Sequence, residues 1–149
     1  MDIKDFLAPS AVFVDIPGSN KTRVLEDLCY RAASILKADV DKITTAILKR
    51  EELGSTGVGH GVAIPHARIA DVQKPFGLLA QLRYAINFEA IDQLPVDIVF
   101  LLFLPAAPTG ERVNALAVVA RKLRDADITH NLRRAAHDSD LYAAMTSLK

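Results

Sequence analysis

Arg50, His60 and His66 lie close together along the chain, around a stretch that contains four glycines. Free imidazole is largely unprotonated near pH 7, and its lone pair is then a good nucleophile. Phosphoryl transfer needs an in-line acceptor, with cationic or N–H groups around the transferring oxygens. His66 is therefore a candidate phosphoryl acceptor, with loop N–H groups and an arginine around the phosphate. The alternative is a hydrogen-bonded histidine that only ends a strand.

The glycine-rich stretch covers residues 53–61 and leads into a short apolar run at 62–64. Glycines at this density usually mark tight turns or a close approach of the backbone to another group. The exposed N–H groups of such a loop can cradle an anion. The apolar run is typical of a short strand. Because Pro65 cannot donate to a sheet ladder, we predict that this strand ends there and presents His66 at its rim.

Arg50 falls in the last turn of a predicted helix, next to Lys49. Cations in a last helical turn interact favourably with the helix dipole, which would account for both residues. Arg50 also lies where the chain turns toward the predicted phosphate loop. On composition alone, a structural and a functional role for Arg50 both stay open.

The four histidines do not form a metal-binding pattern. His60 and His66 are separated by a proline, with no Cys or carboxylate between them at ligand spacing, so we predict no metal site. His130 and His137 lie in the polar C-terminal part and are expected to be solvated or to lie at helix ends. The chain has no Walker A sequence and no G-x-S-x-G elbow, and its G-x-G-x-G run leads into a strand rather than a helix. We therefore predict no cofactor.

Strands alternate with helices along the chain. Short β-branched or apolar runs predict strands at 11–16, 62–64, 76–84, 86–88 and 95–105. Helical spacing predicts five helices: from Ser19 as the N-cap to 36, from Asp39 or Asp41 to Glu52, from Thr109 as the N-cap to Arg124, at 131–136, and from Asp138 or Ser139 to 148. The run 95–105 is typical of a central strand covered on both faces. The pattern favours an α/β layered sandwich, in which 76–88 could form a hairpin and the sheet need not be parallel throughout.

Length, charge and cysteine content restrict the class of protein. The 149 residues predict one domain, 1–149. The formal net charge of zero gives no sign of a nucleic-acid partner. The single cysteine, Cys29, cannot form an internal disulfide and fits an inert core thiol in a reducing compartment. Because the longest apolar run, 98–104, is too short for a bilayer and the start lacks the apolar core of a signal peptide, we expect a cytoplasmic protein without membrane insertion.

The segment from Arg50 through G-S-T-G at 54–57, running into A-I-P-H at 63–66, closely resembles a known phosphorylation-site signature. It is that of enzyme IIA domains of the fructose/mannitol type, from the bacterial phosphoenolpyruvate-dependent phosphotransferase system. The G-S-T-G variant is most similar to the nitrogen-regulatory (PtsN) branch. The likeness extends over nearly the whole chain, including the strand that starts at Pro95 and the ending around Leu141.

This resemblance implies the fructose/mannitol-type enzyme IIA fold, a mixed β-sheet flanked by helices. It implies that His66 receives a phosphoryl group from a histidine-containing phosphocarrier protein. It also implies that Arg50 stands in the active site, where it neutralises charge on the phosphate.

Four further residues are candidate accessory residues by the same resemblance. Arg112 lies where family members commonly carry a second active-site histidine; arginine can pair bidentately with phosphate, but it cannot share a proton as imidazole does. His60 stands where relatives often have an acidic or amide residue. Ser55 and Thr56 belong to the G-S-T-G motif itself.

The leading hypothesis is a regulatory protein that is phosphorylated on His66 and binds regulated partners, such as kinases or transporters, according to its phosphorylation state. A phosphoryl group adds about −1.5 to −2 charges at one spot, which is enough to switch an interface. One alternative is a sugar-transport enzyme IIA that passes the phosphate to a IIB cysteine. The other is a binding module without phosphoryl chemistry.

Overall fold

The computed structural model describes residues 1–106 and 110–147, and for residues 110–114 it describes the backbone alone. Two short 3-10 turns, Ile3–Asp5 and Pro9–Ala11, precede the first strand. The strands are β1 (Val12–Ile16), β2 (Gly57–Gly59), β3 (Val62–Ala63), β4 (His66–Ile69), β5 (Phe76–Ile86) and β6 (Val96–Pro105). The helices are α1 (Lys21–Leu36), α2 (Val40–Glu52), α3 (Gly110–Arg124), α4 (Ala126–Arg134) and α5 (Asp138–Met145).

The strands form one mixed sheet with the order β1-β5-β6-β3-β2, and β4 also pairs with β6. β1 is parallel to β5, whereas β5 is antiparallel to β6. β3 and β4 are both parallel to β6, and β2 is antiparallel to β3. The predicted α/β sandwich with a mixed sheet flanked by helices is confirmed.

Helices cover both faces of the sheet. One face packs against α1 and α2, and the other against α3, α4 and α5. Along β6, successive side chains alternate between the two cores and all are fully buried: Ile98, Phe100 and Leu102 on one face, Val99, Leu101 and Phe103 on the other. Each such side chain contributes about 1.5–3 kcal/mol by burial. Coverage on both faces explains why the sequence of this strand is apolar throughout, as predicted.

β3 and β4 pair with the same edge of β6, and both pair with it in the same register. Ala63 lies opposite Val99, and His66 lies opposite Leu102, so the offset between the two strands does not change across the gap. Pro65 lacks an N–H, but its carbonyl oxygen accepts a hydrogen bond from the N–H of Leu102 at 2.9 Å. The prediction that the strand ends at Pro65 is confirmed, since β3 stops at Ala63. His66 differs from the prediction only in being paired again with β6 rather than standing beyond the sheet ladder. The proline interrupts the ladder for one step, and His66 begins the next strand.

Two other parts of the sheet differ from prediction. Gly57–Gly59 pairs as β2, so the glycine-rich stretch includes a strand as well as turns. The predicted strand 76–84 extends to Ile86 as β5, which shifts register between Gln81 and Ile86 as it runs beside β6, and residues 87–88 of the predicted extended piece lie outside the strand.

The start of α2 was predicted correctly, and that of α1 was not. α1 is capped by Asn20 rather than Ser19, and the Asn20 Oδ1 accepts from the N–H of Arg23 at 2.9 Å. α2 is capped by Asp39, one of its two predicted caps, which accepts from two N–H groups of the first turn. The predicted cap of α3, Thr109, lies outside the described residues.

The last two helices, α4 and α5, start earlier than predicted. In each case the hydrogen bonds of an aspartate near the start of the helix differ from those that the sequence suggested. Asp125 accepts from the N–H groups of the first turn of α4, so this helix begins at Ala126 instead of 131. The Asp138 Oδ1 accepts from the N–H of Val14 in β1 at 2.9 Å. Asp138 is therefore used to join α5 to the sheet, and the N-cap is His137, without a side-chain hydrogen bond.

Candidate functional site

His66 is half-buried at the start of β4, on the face of the sheet that packs against α3. Its Nδ1 lies 2.8 Å from the carbonyl oxygen of Ile64. A carbonyl oxygen can only accept, so this hydrogen bond requires the proton of a neutral ring to be on Nδ1. Nε2 then carries the lone pair. The backbone thus selects which ring nitrogen is available as a nucleophile.

A cavity of about 540 Å³ brings His66 together with Arg50. Arg68 also lines it, so two guanidinium groups share the cavity with the imidazole, and none of its described lining residues is acidic. The other residues that line the cavity are apolar: Ala67, Leu104, Leu116, Ala117 and Ala120. Such a cavity suits a tetrahedral anion that is carried by a larger partner. The guanidinium groups can bind the anion, and the apolar side chains can exclude water when the partner docks.

Arg50 reaches this cavity from the C-terminal end of α2. Its Nη1 donates to the carbonyl oxygen of Gly54 at 2.9 Å, which holds the side chain across the turn that follows the helix. A guanidinium has five N–H donors in a planar fork, so this hydrogen bond leaves donors for an anion. The same residue therefore satisfies a helix-end carbonyl and lines the cavity of His66.

The N–H groups predicted to cradle an anion have acceptors within the chain. The Thr56 N–H donates to the Glu51 carboxylate at 2.8 Å, and the Gly57 N–H donates to the Ser55 hydroxyl oxygen at 3.1 Å. The His60 N–H donates to Asp92 at 2.9 Å. The cations around His66, rather than these amides, are the groups that face its cavity.

The hydroxyl groups of Ser55 and Thr56 are also used within the fold. The Ser55 hydroxyl donates to the carbonyl oxygen of Phe88 at 2.6 Å, and the Thr56 hydroxyl donates to Glu51 at 2.8 Å. Neither residue lines the cavity at His66. Their position in the motif is accounted for by hydrogen bonds that shape the turn after α2.

His60 does not line the cavity of His66. It is exposed, its backbone is left-handed with a φ of 57°, and its side chain lines a separate cavity of about 840 Å³. Its carbonyl oxygen accepts from Arg133 at 2.6 Å, and Arg133 also pairs with Asp97 at 3.0 Å. Hydrogen bonds from the N–H groups of His60 and Leu94 hold the pKa of Asp92 below its usual range. Arg112 is in α3, but its side chain lies outside the described residues.

Sequence reasoning missed two residues at or near the site: Arg68, which lines the cavity, and the buried Glu51. Glu51 is only 7% exposed, and its carboxylate accepts from both the N–H and the hydroxyl of Thr56, with the Lys21 ammonium 3.6 Å away. An acidic residue three positions before the G-S-T-G turn was the available signal, since a carboxylate at that spacing can accept from the turn's N–H groups.

Elsewhere in the described chain, nothing suggests a metal centre or a membrane span. No group of three or more His, Cys, Asp or Glu side chains among the described residues could hold a metal ion. Likewise, no helix in the part of the chain that the structure describes is long and apolar enough to cross a bilayer. Cys29 lies on the buried face of α1 and is fully buried, and burial raises its pKa to about 12.

Comparisons with known proteins agree over nearly the whole chain. Residues 5–147 match the family model for the phosphoenolpyruvate-dependent sugar phosphotransferase system, EIIA 2. A nitrogen regulatory protein of Bradyrhizobium diazoefficiens is 39% identical over 145 residues, 97% of this chain and 95% of that protein. One from Pseudomonas aeruginosa is 36% identical over 148 residues, 99% of this chain and 96% of that protein. The crystal structure of the nitrogen regulatory protein IIA-Ntr from Neisseria meningitidis matches with a TM-score of 0.90 at 30% identity, covering 97% of this chain and 99% of that one.

Proposed function

The chain belongs to the EIIA 2 family of the phosphoenolpyruvate-dependent sugar phosphotransferase system, and from this premise we propose that it is a regulatory phosphoacceptor whose Nε2 of His66 takes a phosphoryl group. The observation that carries the proposal is the hydrogen bond from Nδ1 of His66 to the Ile64 carbonyl oxygen, at 2.8 Å. It leaves the lone pair on Nε2, on a side chain that shares a cavity with Arg50.

The transfer step follows from these groups. The donor is a phosphohistidine of a histidine-containing phosphocarrier protein. The Nε2 lone pair of His66 attacks the phosphorus, the new N–P bond forms, and the bond to the donor nitrogen breaks with its electron pair returning to the donor ring. Arg50 and Arg68 neutralise the equatorial oxygens, as phosphoryl transfer requires. The Nδ1 proton stays on the ring, and the Ile64 carbonyl stabilises the positive charge that the ring gains.

Regulation is the favoured outcome of this modification. Nitrogen regulatory proteins match this chain at 39% and 36% identity, whereas fructose-type EIIA components match it at 30%. Phosphorylation adds about −1.5 to −2 charges beside an apolar cavity wall. A partner that docks on this wall meets either a cationic or an anionic neighbour, so its affinity depends on the state of His66. The regulated partners would be proteins such as kinases or transporters.

The labelling experiment uses radioactive phosphoenolpyruvate, enzyme I and a phosphocarrier protein. Wild type should be labelled, His66→Ala should not, and His130→Ala, which removes an exposed histidine of α4, should be labelled at the wild-type rate. Phosphorus–nitrogen coupling in NMR of uniformly ¹⁵N-labelled protein should identify Nε2 as the attachment atom. Label retained in His66→Ala would refute the assignment. Unlabelled wild type would favour a binding module without phosphoryl chemistry.

A second experiment separates regulation from sugar transport. Phosphorylated protein is mixed with a fructose- or mannitol-type IIB domain, and loss of label from His66 is followed over time. A regulatory protein should keep its label while the IIB cysteine stays unmodified. Rapid transfer to that cysteine would instead assign the chain to the transport pathway.

A further inference from the structure

Hydrogen bonds made by the backbone of Thr56 and Ile64 link the buried carboxylate of Glu51 to the ring of His66. Nδ1 of His66 donates to the Ile64 carbonyl at 2.8 Å. The N–H of Ile64 donates to the Thr56 carbonyl at 3.0 Å. The N–H of Thr56 donates to Glu51 Oε1 at 2.8 Å, and its hydroxyl donates to Oε2 at 2.8 Å. Glu51 is thus linked to His66 through two residues, although the two side chains do not touch.

All donors along this path point the same way, from the imidazole toward the carboxylate. Glu51, Thr56 and Ile64 are 7%, 4% and 3% exposed. Burial keeps water from competing for these hydrogen bonds, so they hold the backbone of Thr56 and Ile64 in place and thereby fix the position of the Ile64 carbonyl oxygen. The coupling is one of position and not of charge relay, because the N–H and the carbonyl of one residue belong to different peptide groups.

The Ile64 carbonyl is the group that decides the state of His66. An acceptor held firmly at this position favours the ring with its proton on Nδ1, which is the form that has a nucleophilic Nε2. It also favours the positive charge that the ring acquires when Nε2 bonds to phosphorus. In catalytic triads a carboxylate fixes the protonated nitrogen and stabilises the imidazolium by direct contact with the ring.

The same carboxylate fixes the geometry of the site. Glu51 follows Arg50 in the last turn of α2, and its hydrogen bonds to Thr56 tie that turn to the strand before β3. The Lys21 ammonium, 3.6 Å from Glu51 Oε1, holds the carboxylate from the side of α1. Glu51 therefore sets the distance between the helix end that carries Arg50 and the strand segment that carries His66.

We propose that Glu51 is a positioning residue for phosphoryl transfer, acting through Thr56 and the Ile64 peptide to hold His66 with its proton on Nδ1. This inference rests on the function proposed above. Its first consequence, the protonation pattern of the ring, is nevertheless present without any phosphate donor and can be measured separately.

The test compares three variants by NMR and by labelling. Glu51→Gln removes the charge and keeps the shape, Thr56→Val removes the hydroxyl, and Thr129→Val removes a similarly buried hydroxyl in α4 whose bonds stay within that helix. Long-range ¹H–¹⁵N spectra of the imidazoles report which nitrogen of His66 is protonated. The other histidines serve as internal references in the same spectrum.

In wild type and Thr129→Val, Nδ1 of His66 should carry the proton. In Glu51→Gln and Thr56→Val, the ring signals should shift toward the form protonated on Nε2, and the rate of labelling should fall by about 10-fold, as for other residues that orient a reactive histidine from a distance. Glu51→Asp should restore the wild-type pattern only in part, because its shorter side chain reaches Thr56 poorly.

Unchanged His66 signals and an unchanged labelling rate in Glu51→Gln would overturn the inference. So would equal changes in Thr129→Val, since these would reflect general loosening of the fold. If wild type itself takes no label while the Glu51-dependent shift of the ring signals is observed, the proposed function fails and the positioning of His66 by Glu51 stands.

Discussion

Replacing Arg50 distinguishes its two candidate roles, because they predict changes in different measurements. If Arg50 served only the helix end, Arg50→Ala would lose the hydrogen bond to the Gly54 carbonyl, about 0.5–1.5 kcal/mol of unfolding free energy, and the labelling rate would stay the same. If Arg50 stabilises the transferring phosphoryl group, the rate must fall as well.

The expected loss of rate can be worked from the cavity. Removing one charged donor from a preorganised anion site lowers rates by about 10²–10³-fold. The cavity is open to solvent and Arg68 remains in it, so the lower end applies, about 100-fold or roughly 2.7 kcal/mol in the barrier. Arg50→Lys keeps the charge but loses the planar fork, and should slow labelling by about 10-fold.

Lys49→Ala is the matched control for Arg50. Lys49 is exposed in the same last turn of α2 and interacts with the same helix dipole, but it does not line the cavity. Its replacement should change unfolding free energy by about 0.3–1 kcal/mol at most and leave the labelling rate unchanged. Time courses of labelling and urea unfolding curves give both quantities for each variant. Wild-type labelling by Arg50→Ala would refute the phosphate role.

Three further predictions concern the rest of the fold. Gln81→Met should lower the unfolding free energy in urea by about 1–3 kcal/mol, because the Gln81 amide donates to two carbonyl oxygens at the end of α4, at 2.9 and 2.8 Å, and they would lose their donors. Cys29 should resist Ellman's reagent at pH 8 in the folded protein and react once urea unfolds it, because burial raises its pKa to about 12 and the thiolate is the reactive form. Asp92 has a lowered folded-state pKa, so its stabilising effect is present above the unfolded pKa of about 3.9 and is lost as the pH falls through the folded value. The urea midpoint of wild type should therefore exceed that of Asp92→Asn at pH 7, and the two should converge in acid.

Each of these has a simple contradicting result. An unchanged urea midpoint for Gln81→Met would mean that water satisfies the α4 carbonyls equally well. Rapid reaction of the folded protein with Ellman's reagent would contradict the burial of Cys29. A constant difference between wild type and Asp92→Asn at all pH values would show that the carboxylate charge does not contribute.

The sequence predicted the elements that are fixed by local patterning. β6 was predicted because two helical layers bury both of its faces, which imposes an unbroken apolar run. The start of α2 was predicted because Asp39 caps the turn directly beside it. The start of α5 was not predicted, because the Asp138 carboxylate accepts a hydrogen bond from Val14, which is far away in sequence. Local sequence patterns do not reveal such a contact.

The candidate site shows the same division. The approach of Arg50 to His66 could be expected from the family signature, and the cavity brings them together. The use of the G-S-T-G hydroxyls within the chain could not, because it depends on a carboxylate of α2 and a carbonyl of the 87–95 connection meeting the turn. The return of the chain to β6 directly after Pro65, as β4, is supported by a donor from β6, which the residues around the proline do not reveal.

The pairing of His66 with Leu102 joins the modified residue to β6, whose side chains are buried on both faces. Because its backbone is paired with this buried strand, His66 has little freedom to shift when it is phosphorylated. We therefore expect the phosphorylated and unmodified forms to share one backbone and to differ in the charge that the surface displays. A partner would then distinguish the two forms by direct contact with the phosphorylated or unmodified surface. No conformational change in this protein would be needed.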